Sequence, residues 1–238
     1  MTQSEAPKTA AKRSAAEAAP APSQTQRAVA ALRDMIVSNR LPPGSSYLES
    51  ELAEMLDMSR TPVREAAVML EAQGLVEIRP RRGVRILPLS TQDMQEIYEI
   101  LTELEGLAAQ QAASRELSKE EVSRVEAALK EMDAALKADD RERWAAADKR
   151  FHDLLMAMSG NRRLQALVES YNDQVHRARM LTVYLRPAPT KSNEDHKALF
   201  QAIKAGDRKR ARALHTAHRK EAMRIIIDLL QKHGFHQV

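Results

Sequence analysis

Four side chains in the second half of the sequence have the types and spacing to hold a metal ion: Asp148, His152, His196 and His218. Asp148 and His152 are four residues apart, so on a helix they project from one face. His196 precedes Gly206 by ten residues and His218 follows it by twelve, with the breaker Ala205-Gly206-Asp207 between them. Two helices folded back at that break bring both imidazoles to nearly one height. One carboxylate and three imidazoles form a hard-to-borderline donor set suited to Zn²⁺, Ni²⁺ or Mn²⁺. The competing reading makes each histidine structural or exposed, and His176, His215, His233 and His236 are read that way. On spacing alone, both readings of the set of four stay open. The chain has no cysteine, which removes thiolate ligands, disulfides and cysteine nucleophiles together.

A second constellation lies nearer the N-terminus. Ser59-Arg60-Thr61-Pro62-Val63-Arg64-Glu65 has the punctuation of a helix start, with Ser59 or Thr61 as cap and Pro62 in the first turn. Arg60 and Arg64 fall on one face of that helix. A helix that reads DNA places its N-terminal residues at base edges, where an arginine fork matches the two major-groove acceptors of guanine. Thr61 offers a hydroxyl for phosphate and a methyl for thymine. Arg81, Arg82 and Gly83 form a basic turn able to reach phosphate or the minor groove. Every basic residue from Thr25 to Pro88 is arginine, the side chain that grips phosphate and guanine bidentately. The alternative is solvating charge on a nearly charge-balanced small domain.

The elements that must position these groups follow from periodicity. Val29, Leu32, Ile36 and Val37 recur at helical spacing up to the breaker Leu41-Pro42-Pro43-Gly44. A second helix fits Glu49–Leu56, a turn Asp57-Met58-Ser59, and a third helix Thr61 to Gln73, closed by Gly74. The period then shortens: Leu75–Ile78 and Val84–Leu87 are β-prone runs around Pro80-Arg81-Arg82-Gly83, a hairpin. Three helices and a β-hairpin wing make a winged helix-turn-helix, assigned to residues 25–88. Pro88 to Thr91 serves as linker. From Asp93 to about Lys232 the chain reads as helices broken near 114–118, 137–140, 159–162, 186–190 and 205–207. That is an all-α antiparallel bundle, spanning residues 89–238. Aromatics make up only 3% of the chain, and an aliphatic, Ala-rich core suits helix packing. Residues 1–24, rich in Ala, Pro and Ser, read as a flexible tail without the apolar run of a secretory signal. No apolar run approaches membrane-spanning length, so no membrane partner and a cytoplasmic location are expected.

Several of these segments resemble a known family. Leu41-Pro42-Pro43-Gly44, Glu51-Leu52-Ala53, Ser59-Arg60-Thr61-Pro62-Val63-Arg64-Glu65-Ala66 and Glu71-Ala72-Gln73-Gly74-Leu75-Val76 are similar to the DNA-binding domain of GntR-type regulators. The resemblance implies DNA contacts from Arg60, Thr61, Arg64 and Gly83. Ser50 stands where relatives often carry a DNA-touching arginine, and Asp57 where they have a turn glycine. Asp148-Lys149-Arg150-Phe151-His152, Gly160-Asn161-Arg162-Arg163-Leu164, Glu194-Asp195-His196, Ala202-Ile203-Lys204-Ala205-Gly206-Asp207 and His218 resemble the FCD effector domain of the FadR subgroup. That likeness implies a divalent metal ion held by Asp148, His152, His196 and His218. Many relatives carry an arginine four residues before the glutamate of the first effector-domain helix; here the glutamate is Glu105 and the place belongs to Leu101. Arg177 and Arg179 then remain as candidate anion partners for an effector, with solvated surface charge as the equal alternative.

These readings combine into a homodimeric repressor on a pseudo-palindromic double-stranded DNA operator, modulated by a small metabolite, a carboxylate by expectation, bound near the metal. A metal-sensing regulator without organic effector is the first rival. A metal-dependent hydrolase is the second, since Asp plus three His can activate water. No HExxH-type pairing or evident general base accompanies the ligands, and the chain is expected not to be an enzyme.

Overall fold

The computed structural model describes residues 21–232. Most of the expected tail, together with His233 and His236, lies outside that range. Helix α1 (Gln24–Val37) opens on a capping box: the Gln26 N–H donates to Ser23 Oγ, and the Ser23 N–H donates back to Gln26 Oε1. Helices α2 (Glu49–Met55) and α3 (Arg60–Glu71) follow across a turn in which Asp57 adopts φ 51°, a left-handed conformation that Asp tolerates. Ser59 occupies the N-cap position of α3 without a side-chain bond, and Thr61 lies inside the helix, so the expected hydroxyl cap is not made.

The hairpin forms from β2 (Val76–Arg79) and β3 (Gly83–Ile86), with Ile78 opposite Val84 and Arg79 opposite Gly83. A strand absent from the sequence expectation, β1 (Ser46–Tyr47), pairs antiparallel with the other edge of β3, giving the order β1-β3-β2. Two residues are too few to show alternation, so the edge of β3 specifies this strand. One core closes this part of the chain, with Leu32, Ile36, Leu52, Val63, Leu70 and Ile86 at its centre. The architecture is a winged helix-turn-helix.

A second, separate core holds the helices from Ser90 onward: α4 (Thr91–Ala112), α5 (Lys119–Lys137), α6 (Arg141–Met158), α7 (Arg162–Thr182), α8 (Thr190–Lys204) and α9 (Arg208–Lys232). Ser90, Ser118, Asp140 and Asn161 each accept a backbone N–H three residues on and so mark four helix starts. The breaks fall where expected, except that α7 ends earlier, at Thr182. There Arg186 folds back, its Nη2 donating to the Arg179 carbonyl at 3.0 Å and its Nε, at 3.4 Å, to the Thr182 carbonyl, which also accepts the Leu185 and Arg186 N–H groups. Helices α4 and α9 pack closely: a Cβ on Gly106 would sit 2.8 Å from Thr216 Oγ1. That approach brings the α9 side chains against Glu105.

Helix α7 also touches the first part of the chain. Arg33 of α1 meets Asp173 at 2.5 Å, Gln174 donates to the Gln73 carbonyl at 2.8 Å, and Arg177 donates to the Leu87 carbonyl at 2.7 Å.

Candidate metal centre and nucleic-acid interface

Asp148 and His152 project from one face of α6, His196 from α8 and His218 from α9. The three helices bring one nitrogen each of His152, His196 and His218 within 4.8 Å of one another. Asp148 Oδ1 lies 3.8 Å from His152 Nε2 and 3.6 Å from His196 Nε2. The rings of His196 and His218 are 4.5 Å apart, as the fold-back at Gly206 requires. All four side chains are buried. Both ring nitrogens of His152 and of His196 lack a hydrogen-bond partner, and a buried polar atom without a partner costs free energy. A divalent cation would take one nitrogen of each ring, and the donor set fits such an ion.

The protonation states suit that role. Burial, reinforced by the neighbouring imidazoles, pushes His196 well below the usual histidine range, which favours the neutral ring with one nitrogen free to ligate. Burial also lowers His218, against the opposing bond to Asp195. Burial raises Asp148, but Arg179 and the histidines outweigh it and hold the carboxyl below its ordinary value.

Around the four lies a ring of partners that sequence reasoning did not assign. Asp195 approaches His218 Nδ1 at 3.5 Å and is itself gripped by Lys191 at 2.7 Å. Glu105 lies 3.3 Å from His152 Nδ1, 2.8 Å from His215 Nε2 and 3.4 Å from Arg219 Nη2. Burial opposes charge on Glu105, yet Arg219 and the two imidazoles keep it well below the normal carboxyl range. Such outer partners fix ligand orientation. Glu105, His152 and His215 also satisfy metal-ligand spacing, but the buried Arg219 cation over the Tyr98 ring, 4.6 Å from its centroid, already counters the Glu105 charge. Leu101 is fully buried one turn before Glu105, and the guanidinium beside that glutamate comes from α9. The available sequence signal was the spacing His215, His218, Arg219 at i, i+3 and i+4.

The two candidate effector arginines separate. Arg179 points inward, with Nη1 2.5 Å from Asp148 Oδ2. Arg177 is buried against Leu87 on the side of the winged helix and does not join the cluster.

On the first part of the chain, Arg60 and Arg64 stand at the start of α3 with side chains 71% and 75% exposed, each just under 4 Å from Glu49. Thr61, Arg81 and Arg82 are exposed as well. Gly83 differs: with φ +82°, its missing Cβ would lie 2.1 Å from the Tyr47 carbonyl oxygen. Glycine there lets β1 approach β3.

A winged helix-turn-helix joined to a helical domain with a buried donor cluster defines a DNA-binding transcription regulator. The chain belongs to the GntR family of bacterial regulatory proteins: that family's profile matches residues 24–86, and the FCD domain profile matches residues 96–221. The HTH-type transcriptional regulator YdhC of Bacillus subtilis is 32% identical over 189 residues, 79% of this chain and 84% of that protein. The HTH-type transcriptional repressor RspR of Escherichia coli is 25% identical over 203 residues, 85% of this chain and 89% of its own. Among solved structures, E. coli McbR/YncC shares the fold, with a TM-score of 0.74 at 22% identity over 88% of this chain and 99% of the other. Its relatives are regulators, and the chain is not an enzyme. Among the described residues, no helix is long and apolar enough to cross a membrane.

Proposed function

We propose that this GntR-family regulator is a homodimeric repressor of a pseudo-palindromic operator, with residues 25–88 binding DNA and residues 89–238 binding effector and forming the dimer. A small carboxylate binds beside a divalent metal held by Asp148, His152, His196 and His218, and thereby lowers operator affinity. The observation that carries the effector half is the convergence of these four buried side chains with His152 and His196 nitrogens unpartnered. When bound, the ion would add positive charge that attracts an anionic ligand beside the cluster. The chain's own residues orient the ligands, through Glu105 and Asp195, and exclude water.

Helix α7 provides the route between the halves. Arg179 pairs with Asp148 at its inner face, while Asp173, Gln174 and Arg177 hold the winged helix. An effector that repositions Asp148 or Arg179 shifts the population of docked and undocked arrangements. Arg177→Ala is therefore expected to retain operator binding but to reduce the coupling between effector and operator by about 0.5–2 kcal/mol. Operator titrations with and without effector measure this, and an unchanged ratio of affinities would refute the route.

For the reading head, Arg64→Ala is expected to lose about 1–3 kcal/mol of discrimination at one base position. Arg81→Ala should weaken all sequences alike and flatten the salt dependence. Intact sequence preference in Arg64→Ala would displace the reading head from α3.

Native mass spectrometry of the purified protein, followed by operator titration with metal alone and with metal plus carboxylates, tests the whole. A dimer carrying one ion per chain, released from DNA only when a carboxylate is added, is the expected result. Release by metal alone would make the chain a metal sensor instead.

A further inference from the structure

We propose that a cavity against the outer side of the metal cluster binds a compact organic anion with an apolar body, its carboxylate held by Arg186 and its body against Trp144. This rests on the effector reading above and supplies that effector's location and chemical class. The cavity, about 260 Å³, opens where the start of α6, the α7–α8 connection, the start of α8 and the middle of α9 meet, and His218 forms part of its wall. Ligand pockets for drug-sized molecules run from about 300 to 1,000 Å³, so this one suits a smaller metabolite.

Most of its lining is apolar, with Trp144, Val183, Ala222 and Ile225 contributing. The Trp144 ring is fixed in place by its Nε1–H, which donates to Asn193 Oδ1 at 2.8 Å. The charges on the wall are unequal in their partners. Asp195 is engaged by Lys191 and His218, and Glu221 by Arg224 at 2.7 Å. Arg141 is bonded to Asp139 at 2.8 Å. Arg186 alone among the wall's cations has no carboxylate within ion-pair distance among the described residues, and bonds only to the Thr182 and Arg179 carbonyls. Its half-buried guanidinium is thus a net positive charge in an apolar recess with both wall carboxylates already countered. Burial, with Arg179 nearby, already disfavours its charge, and an anion would offset that cost.

The position also links the cavity to the metal. His218 is one of the three clustered imidazoles, and its Nδ1 faces Asp195, which Lys191 holds. An anion that draws Lys191 away from Asp195 loosens the orienting partner of a metal ligand.

Trp144 is the chain's single tryptophan, so its emission reports on this cavity directly. The test titrates metal-loaded full-length protein with benzoate, phenylacetate and isovalerate, each against its amide. The expected result is a saturable emission change with at least one carboxylate and binding at least about tenfold weaker for its amide, the loss that follows from removing one charge-assisted bond. Arg186→Gln should weaken the carboxylate by a similar factor, and Arg186→Lys should recover part of it. Because Arg186 also caps α7, Ala222→Leu provides a second variant: it fills the cavity and should abolish the response. Amides binding as well as acids, indifference to both Arg186→Gln and Ala222→Leu, or silence toward all three acids would overturn the proposal. Saturable carboxylate binding that leaves operator affinity unchanged would uphold this site and refute the effector reading. Operator release by a carboxylate with Trp144 silent would do the reverse.

Discussion

Gly83→Ala is expected to cost roughly 3 kcal/mol in the winged-helix part, the upper end for a single substitution, and to abolish high-affinity operator binding. Two penalties act together. At φ +82° an L-residue is disfavoured by about 1–2 kcal/mol. The added methyl would also meet the Tyr47 carbonyl oxygen at 2.1 Å, and no rotamer change can relieve a clash between Cβ and backbone. Strand β1 must then leave β3, which frees the wing that carries Arg81 and Arg82. The helices from Ser90 onward have their own core and should keep their melting behaviour. Operator binding together with proteolysis at residues 79–84 measures the effect. Full affinity with an uncleaved wing would show that the wing tolerates the side chain.

His196→Ala should remove the metal while leaving the fold and DNA binding in place. His196 is wholly buried and its ring lies tilted against that of Phe151, 4.3 Å between centroids, so the helices α6, α8 and α9 remain packed around the smaller side chain at some cost. Loss of an outer-shell partner alone lowers metal affinity by about 10–100-fold, and loss of a ligand exceeds that. Metal bound at 100 times its dissociation constant stabilises the folded state by about 2.7 kcal/mol, equivalent to roughly 5–10 °C in Tm for a chain of this size. Chelation should therefore lower the melting temperature of the parent protein by that amount and leave His196→Ala unmoved. Equal metal content in parent and variant would remove His196 from the ligand set.

Both results bear on how much of the molecule its sequence carries. The helices, the hairpin and the breaks were legible because apolar period, caps and breakers are local properties. Ser118, Asp140 and Asn161 mark helix starts by hydrogen bonds three residues long. The four donors were legible too, since an i, i+4 pair and a fold-back about Gly206 require only helix geometry. Gly83 was visible as a residue of the wing, read there as a DNA contact; its role in admitting β1 was not, because the Tyr47 carbonyl lies 36 positions away in sequence.

What the sequence by itself determined, then, is the order of elements, the winged helix, the helical bundle and the candidate donors, all consequences of short-range pattern. Only the tertiary structure decided which charges meet. It set Asp148 against Arg179 and the Leu87 carbonyl against Arg177, two side chains that helix geometry already sends to different sides of α7. It set Arg219 beside Glu105 across the α4–α9 contact, and it left Arg186 facing a recess with no carboxylate partner. Those pairings depend on helix rotation and on close approach at Gly106, which no single segment encodes. The side chains of Asp148, His152, His196 and His218 are thus embedded in a ring of buried charges that packing alone assembles.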